Sequence, residues 1–194
     1  MSQSRAHPYT RDVIRLLYKK RHWRVPHQYK YQRATMNTYS LGNGRSIRVC
    51  EWKGEKRVDL REWSDDKPTK KGISLTLLRW KSFLDFMSEV DKALKSDDAY
   101  RLHLGGNVYC TVKENNPCVD IRQYWKPQED VVPTKKGLCL RPEEYQRLKD
   151  FLPKIGEALP ELDTIVPCLF QSDHANQLGF LKCPECNPND YMNW

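Results

Sequence analysis

Nowhere in the 194 residues does an apolar run approach the roughly 18 that a membrane-spanning helix requires, and 30% of the chain is charged against 39% hydrophobic. A soluble intracellular protein that avoids membranes is expected. No apolar core segment follows Met1-Ser-Gln-Ser-Arg-Ala-His-Pro8, so no export signal is read there. The seven cysteines are odd in number and scattered, which argues against a disulfide framework and for free thiols in a reducing compartment. Acid is nearly missing from residues 1–35, where nine Lys or Arg face Asp12 alone. That arm therefore carries +8, the whole formal net charge, and the remainder balances at 24 basic against 24 acidic residues. A basic arm of this kind contacts nucleic acid or another polyanion, or is a solvated tail or targeting signal.

Catalytic groupings are also scarce. Cys50, Cys110, Cys118 and Cys139 fall in expected strands with no histidine beside them, which suits small core residues. His103 stands alone, Gly105-Gly106 lacks phosphate-loop spacing, and the acids are dispersed over helices and turns. A binding protein is expected rather than an enzyme.

What the chain does contain is a repeat. Pro68-Thr-Lys-Lys-Gly72 recurs as Pro133-Thr-Lys-Lys-Gly137, and Val58-Asp-Leu-Arg-Glu-Trp63 is echoed by Val119-Asp-Ile-Arg-Gln-Tyr-Trp125. Two units of roughly sixty residues are too few for a solenoid and marginal alone, so the copies are expected to pack on one another. The sequence divides into a basic arm (1–38), a first repeat with its linker (39–98), a second repeat (99–160) and a cysteine-containing tail (161–194). Within the arm, Thr10 is positioned to cap a short helix over Asp12–Tyr18, and Trp23, Tyr29 and Tyr31 alternate with Arg24, Lys30 and Arg33. These aromatics suit stacked bases or docking onto the repeats.

Period-2 alternation from Gly44 to Trp63 puts Ile47, Val49, Val58 and Leu60 on one sheet face. Arg48, Cys50, Trp52, Arg57, Asp59, Arg61 and Trp63 lie on the other, with a hairpin turn at Lys53-Gly54-Glu55. Tryptophans among arginines make that second face a candidate binding surface. A loop and short strand over Ser64–Lys71 and another short strand over Gly72–Leu75 are expected next. A helix should follow from Thr76 to Leu94, with Leu77, Trp80, Leu84, Met87 and Val90 as core, then a polar linker over Asp91–Asp98. The second repeat presents Tyr109, Thr111, Lys113, Asp120, Arg122 and Tyr124, turns at Glu114-Asn-Asn-Pro117, and ends in a helix opened by Pro142 and kinked by Pro153.

In the tail, Cys183-Pro-Glu-Cys186 has the gap of a metal knuckle, and Cys168 with His174 would complete a Cys3His set for structural zinc. A free-thiol tail or a redox pair is the alternative.

Asp-Leu-Arg-Glu-Trp followed by Lys-Pro-Thr-Lys-Lys-Gly-Ile-Ser-Leu and an amphipathic helix, with the same signature in the second copy as Asp120-Ile-Arg-Gln-Tyr-Trp125 and Pro133-Thr-Lys-Lys-Gly-Leu-Cys-Leu140, resembles the transcriptional coactivator family called positive cofactor four. The resemblance covers about residues 39–160. It implies an α+β fold of two tandem units, each a curved four-stranded antiparallel sheet plus one helix, paired here as an intramolecular pseudo-dimer. It further implies single-stranded DNA, or RNA, held across the sheets without sequence preference, a nuclear setting, and proteins of the transcription machinery as partners. The family's binding positions fall on Arg45, Trp52, Lys53, Arg61 and Lys71, and on Arg122, Trp125 and Lys136. Arg48, Trp63, Lys70, Tyr109, Lys113, Tyr124 and Lys135 join them from the candidate face and the repeated pentapeptide. Ser64 stands where the family has an aromatic residue, and Glu114-Asn-Asn-Pro117 replaces the cationic hairpin, so unequal binding by the halves is expected. The competing reading is a protein-interaction module that has lost nucleic-acid affinity.

Overall fold

A computed structural model describes residues 35–125 and 131–189; the expected arm helix and the arm's interleaved aromatics lie outside the described residues. Tight turns made by residues in left-handed conformations set the topology. Lys53 and Gly54, then Asp65 and Asp66, have φ between 50° and 81°, the backbone twist that lets two strands reverse within two residues. The result is a meander of β1 (Thr35–Gly42), β2 (Arg45–Trp52), β3 (Glu55–Ser64) and β4 (Lys67–Thr76). A second meander follows as β5 (Tyr100–Gly105), β6 (Val108–Lys113), β7 (Asn116–Trp125) and β8 (Val132–Leu140). Both sheets are antiparallel and keep chain order.

The fourth strand of the first half differs from expectation. Residues expected to form a loop and two short strands make one ten-residue strand, β4, and the extra strand is β1, which starts at Thr35. Asp65-Asp66 turns tightly enough to pair Ser64 with Lys67 at once. The expected single helix also differs, being broken into α1 (Leu77–Asp85) and α2 (Met87–Ser96) at Phe86, whose ring stacks on Phe170 of the tail. Helix α2 takes up most of the expected polar linker. Helix α3 (Pro142–Ala158) continues through Pro153.

The helices are exchanged between the halves. Helix α1 touches β3 and β4 of its own sheet and β5 of the other, and α2 lies on β6 and β7. Helix α3 returns to β1 and β2, where Phe151 stacks on Tyr39 at 4.9 Å. The sheets themselves meet along β4 and β8. One continuous core results, running from Leu41, Ile47 and Val49 through Trp80 and Phe83 to Ile121, Leu140, Leu148 and Ile155. Burying so much apolar surface jointly is what neither small unit could do alone.

The tail winds through three 3-10 turns (Pro160–Thr164, Cys168–Phe170 and Ser172–Ala175) before α4 (Gln177–Lys182). The Asn176 side chain caps α4 by accepting from the Gly179 amide.

Candidate nucleic-acid interface and metal centre

The repeated blocks have a structural cause. In each half the arginine of Asp-x-Arg grips the aspartate two residues earlier with two hydrogen bonds: Arg61 to Asp59 at 3.2 and 2.8 Å, and Arg122 to Asp120 at 2.9 Å twice. These bonds raise both guanidinium pKa values further. Each arginine also donates across the sheet, to the carbonyl of Thr69 or Thr134 at 2.8 Å. Glycine must face it. A Cβ on Gly72 would lie 2.6 Å from the Leu60 carbonyl oxygen, and one on Gly137 would lie 2.7 Å from the Arg122 Cβ. The threonine hydroxyls close the bulge by donating to the carbonyls of Glu62 and Gln123. Pro-Thr-Lys-Lys-Gly thus holds an arginine flat across two strands and turns two lysines outward.

The candidate residues divide into two groups. Arg48 is buried beneath Trp63, 5.0 Å from its ring centroid, and bonded to the fully buried Asp59 at 3.0 Å. Arg45 sits at the seam, donating to Glu144 and to the Cys139 carbonyl. These cations chiefly shape the surface. Trp52 and Trp125 are exposed at 48% and 61%, and Lys53, Lys70, Lys113, Lys135 and Lys136 are exposed as well. Lys71 is exposed and paired with Glu62 at 3.0 Å. On the second sheet Tyr109 and Tyr124 meet edge to face at 5.3 Å, and the Arg101 guanidinium lies 4.2 and 5.1 Å from their centroids.

Where β4 meets β8, a groove of about 530 Å³ is lined by Arg61, Lys70, Arg79, Lys135 and Lys136, with Gln123. The structure therefore brings Lys70 of the first pentapeptide and Lys135 and Lys136 of the second to one place. Sequence reasoning missed Arg79 and Arg101. Arg79 left one signal: a cation in the first turn of a helix opposes the helix dipole and needs another reason to be there. Of the four strand cysteines, Cys110 is in the core. Cys50 is buried on the opposite face, and Cys118 and Cys139 half-line the second sheet's open face. Burial, then the neighbouring Cys118, pushes the Cys139 thiol up to about 12.

In the tail, Cys168, His174, Cys183 and Cys186 converge with their ligand atoms all within 4.8 Å of one another. The Cys168 and Cys183 sulfurs are 3.9 Å apart, and Cys186 Sγ lies 3.8 Å from His174 Nδ1. A tetrahedron with bonds of about 2.3 Å has edges of about 3.8 Å, so the set fits a closed zinc site. Burial, then the Cys186 charge, pushes the Cys168 thiol up to about 12. At Cys183 burial opposes ionisation, but the Cys186 and Glu185 amides outweigh it and lower that thiol's pKa. The four side chains could hold a metal ion.

Two four-stranded meanders with exchanged helices define a two-fold α+β assembly contained in one chain. The chain belongs to the Transcriptional Coactivator p15 (PC4) family, whose model matches residues 39–86 and 102–151, one segment in each half and together about half of the chain. It is 40% identical over 63 residues to an RNA polymerase II transcriptional coactivator of Drosophila melanogaster, covering 30% of this chain and 57% of that protein. It is 35% identical over 60 residues to a putative RNA polymerase II transcriptional coactivator of Caenorhabditis elegans, covering 28% of this chain and 48% of that protein. The chain thus spans about half the length of these curated relatives. No solved structure matches it.

Proposed function

We propose that this protein is a nuclear, coactivator-type binder of single-stranded DNA, in which one chain supplies both halves of the platform and the strand runs over the two sheets. The groove between β4 and β8 carries the reading, because it gathers Lys70, Lys135 and Lys136 with Arg61 from both repeats into one cationic track. Trp52 and Trp125 on the two sheets supply ring faces for bases. Only unpaired strands offer base faces for stacking, and each stacked base contributes roughly 1–3 kcal/mol with little regard to sequence. The halves contribute unequally. The first has Trp52 beside Lys53 at its hairpin, whereas the corresponding turn of the second carries Glu114 and Asn115. RNA shares the chemistry of stacked bases and phosphates, and a ribose strand of equal sequence is the control that separates the two.

The test is anisotropy titration of a labelled strand of about 20 nucleotides, with Trp52→Ala and Trp125→Ala singly and together. Each substitution is expected to weaken binding about tenfold. Binding unchanged by the double variant would move the activity to the basic arm.

A second reading rests on the tail, where Val166, Leu169, Phe170, Leu178 and Phe180 are exposed apolar residues. A protein of the transcription machinery docking there would make the chain a scaffold, and absence of strand binding would favour it. We further propose that the ion suited to the tail's Cys3His set is zinc. In that role it would order about 30 residues too few to build a core of their own. Metal release assayed after thiol modification should yield one zinc per chain.

A further inference from the structure

The two halves are capped differently at equivalent places. In the first, the turn between β1 and β2 is held by α3: Glu144, third residue of that helix, accepts from Arg45 and from the Asn43 amide. The equivalent turn in the second half follows β5. Matching backbone bonds, Trp63 N–H to Gly44 and Tyr124 N–H to Asn107, put the halves in register. Val108 then takes the place of Arg45, and Arg79, third residue of α1, takes the place of Glu144. The charge at the helix is reversed and the turn's cation is gone.

The tail supplies the missing acid. Glu185, between the two knuckle cysteines, accepts two hydrogen bonds from Arg79, at 2.8 and 3.0 Å. Its backbone carbonyl accepts from the Gly106 amide at 2.8 Å, and Asn189 exchanges side-chain hydrogen bonds with Asn107 at 2.9 and 3.3 Å. Gly105 and Gly106 hold left-handed φ of 117° and 56° in the turn beneath this pair, a conformation that favours glycine. A Cβ on Gly105 would be 2.4 Å from the Glu185 carboxylate, and one on Gly106 would be 1.9 Å from the Arg79 guanidinium.

We infer that the tail is a metal-dependent clasp. With Cys168, His174, Cys183 and Cys186 closed around zinc, Glu185 is fixed where it joins α1 of the first half to the β5–β6 turn of the second. Arg79 thereby becomes a positioning residue, held by the tail at the wall of the groove between the sheets. The ligands sit on either side of Glu185 in sequence, so their release would free its backbone as well as its carboxylate. Because coupling between two sites is reciprocal, Arg79 must in turn strengthen zinc binding although it is no ligand.

The inference rests on the zinc reading and is independent of strand binding. Hydrogen exchange is measured on the full chain, zinc-loaded and after chelation, alongside zinc stoichiometry, for the wild type, Glu185→Ala and the milder Glu185→Gln. In the wild type, chelation should speed exchange in 77–85 and 100–113 about tenfold or more, as expected when charge-assisted bonds are lost. In Glu185→Ala, segment 77–85 should exchange fast with zinc bound and chelation should add little there, whereas chelation should still speed 100–113, whose bonds to the residue-185 carbonyl and to Asn189 the substitution leaves in place. Arg79→Ala should bind zinc several-fold more weakly with its helical content kept. Unchanged protection of 77–85 and 100–113 in a wild type that releases one zinc per chain would overturn the clasp alone. A wild type that holds no zinc would overturn both readings.

Discussion

Replacing Glu144 with alanine should unlock the seam between the halves. The side chain is 1% exposed and accepts three bonds: from Arg45 at 2.5 Å, from the Asn43 amide at 2.9 Å, and from the Arg141 backbone N–H at 2.9 Å. Breaking a buried ion pair by removing one partner costs about 3–5 kcal/mol when the other charge is stranded. Arg45 would not be wholly stranded, since it is 20% exposed and keeps the Cys139 carbonyl at 2.7 Å and Glu62 at 3.8 Å. That lowers the ionic part of the cost to roughly 2 kcal/mol, and the lost cap at the α3 N-terminus adds a further cost of about 1 kcal/mol. A loss of about 3 kcal/mol is expected, or roughly 6–12 °C in Tm for a domain of this size. Urea unfolding followed by tryptophan fluorescence measures it, with the slope unchanged if native and unfolded surfaces are unchanged. A loss under about 1 kcal/mol would refute the reasoning, because the pair would then be an ordinary solvated contact.

Gly72→Ala should destabilise by roughly 1–3 kcal/mol, since the added methyl meets the Leu60 carbonyl and the Arg61 backbone; the thermal midpoint reports it. Stability should also fall on the acid side. Burial opposes ionisation of Glu144, but bonds from Asn43, Arg141 and Arg45 outweigh it and hold its pKa below 4.5. Its contribution is therefore complete above that value and lost as pH falls through the folded pKa, and Glu144→Gln should flatten this part of a urea-unfolding pH series. Charge reversal at Lys70 and Lys135 should weaken strand binding about tenfold or more at low salt while leaving Tm within a few degrees, as exposed positions allow.

Much of the architecture was legible because it is written in short-range patterns. Alternation at Ile47, Val49, Val58 and Leu60 marked the core face, and all four are fully buried. The recurring pentapeptide marked two like units. The four tail ligands could be named from residue type, and the chain does bring them together. What escaped depends on distant partners. Asp59 reads as a residue on an open polar face, yet it is fully buried because Arg48 and Arg61 close over it. Phe86, where the helix breaks, meets a ring in the tail 84 residues away, and the Gly105-Gly106 turn carries Arg79 and Glu185 above it. Nor does local periodicity say that α3 will cross to the first sheet.

The most direct measurement is the affinity of the full chain for a strand of about 20 nucleotides and for its duplex, across a salt series. Five lysines are exposed: Lys53 at the first hairpin, Lys71 in β4, and Lys70, Lys135 and Lys136 lining the groove. At about 0.7 per phosphate, the single strand should show a log–log salt slope of at least about 3 and bind more tightly than the duplex at every salt. Equal affinity for both forms, or no salt dependence, would contradict the stacking platform.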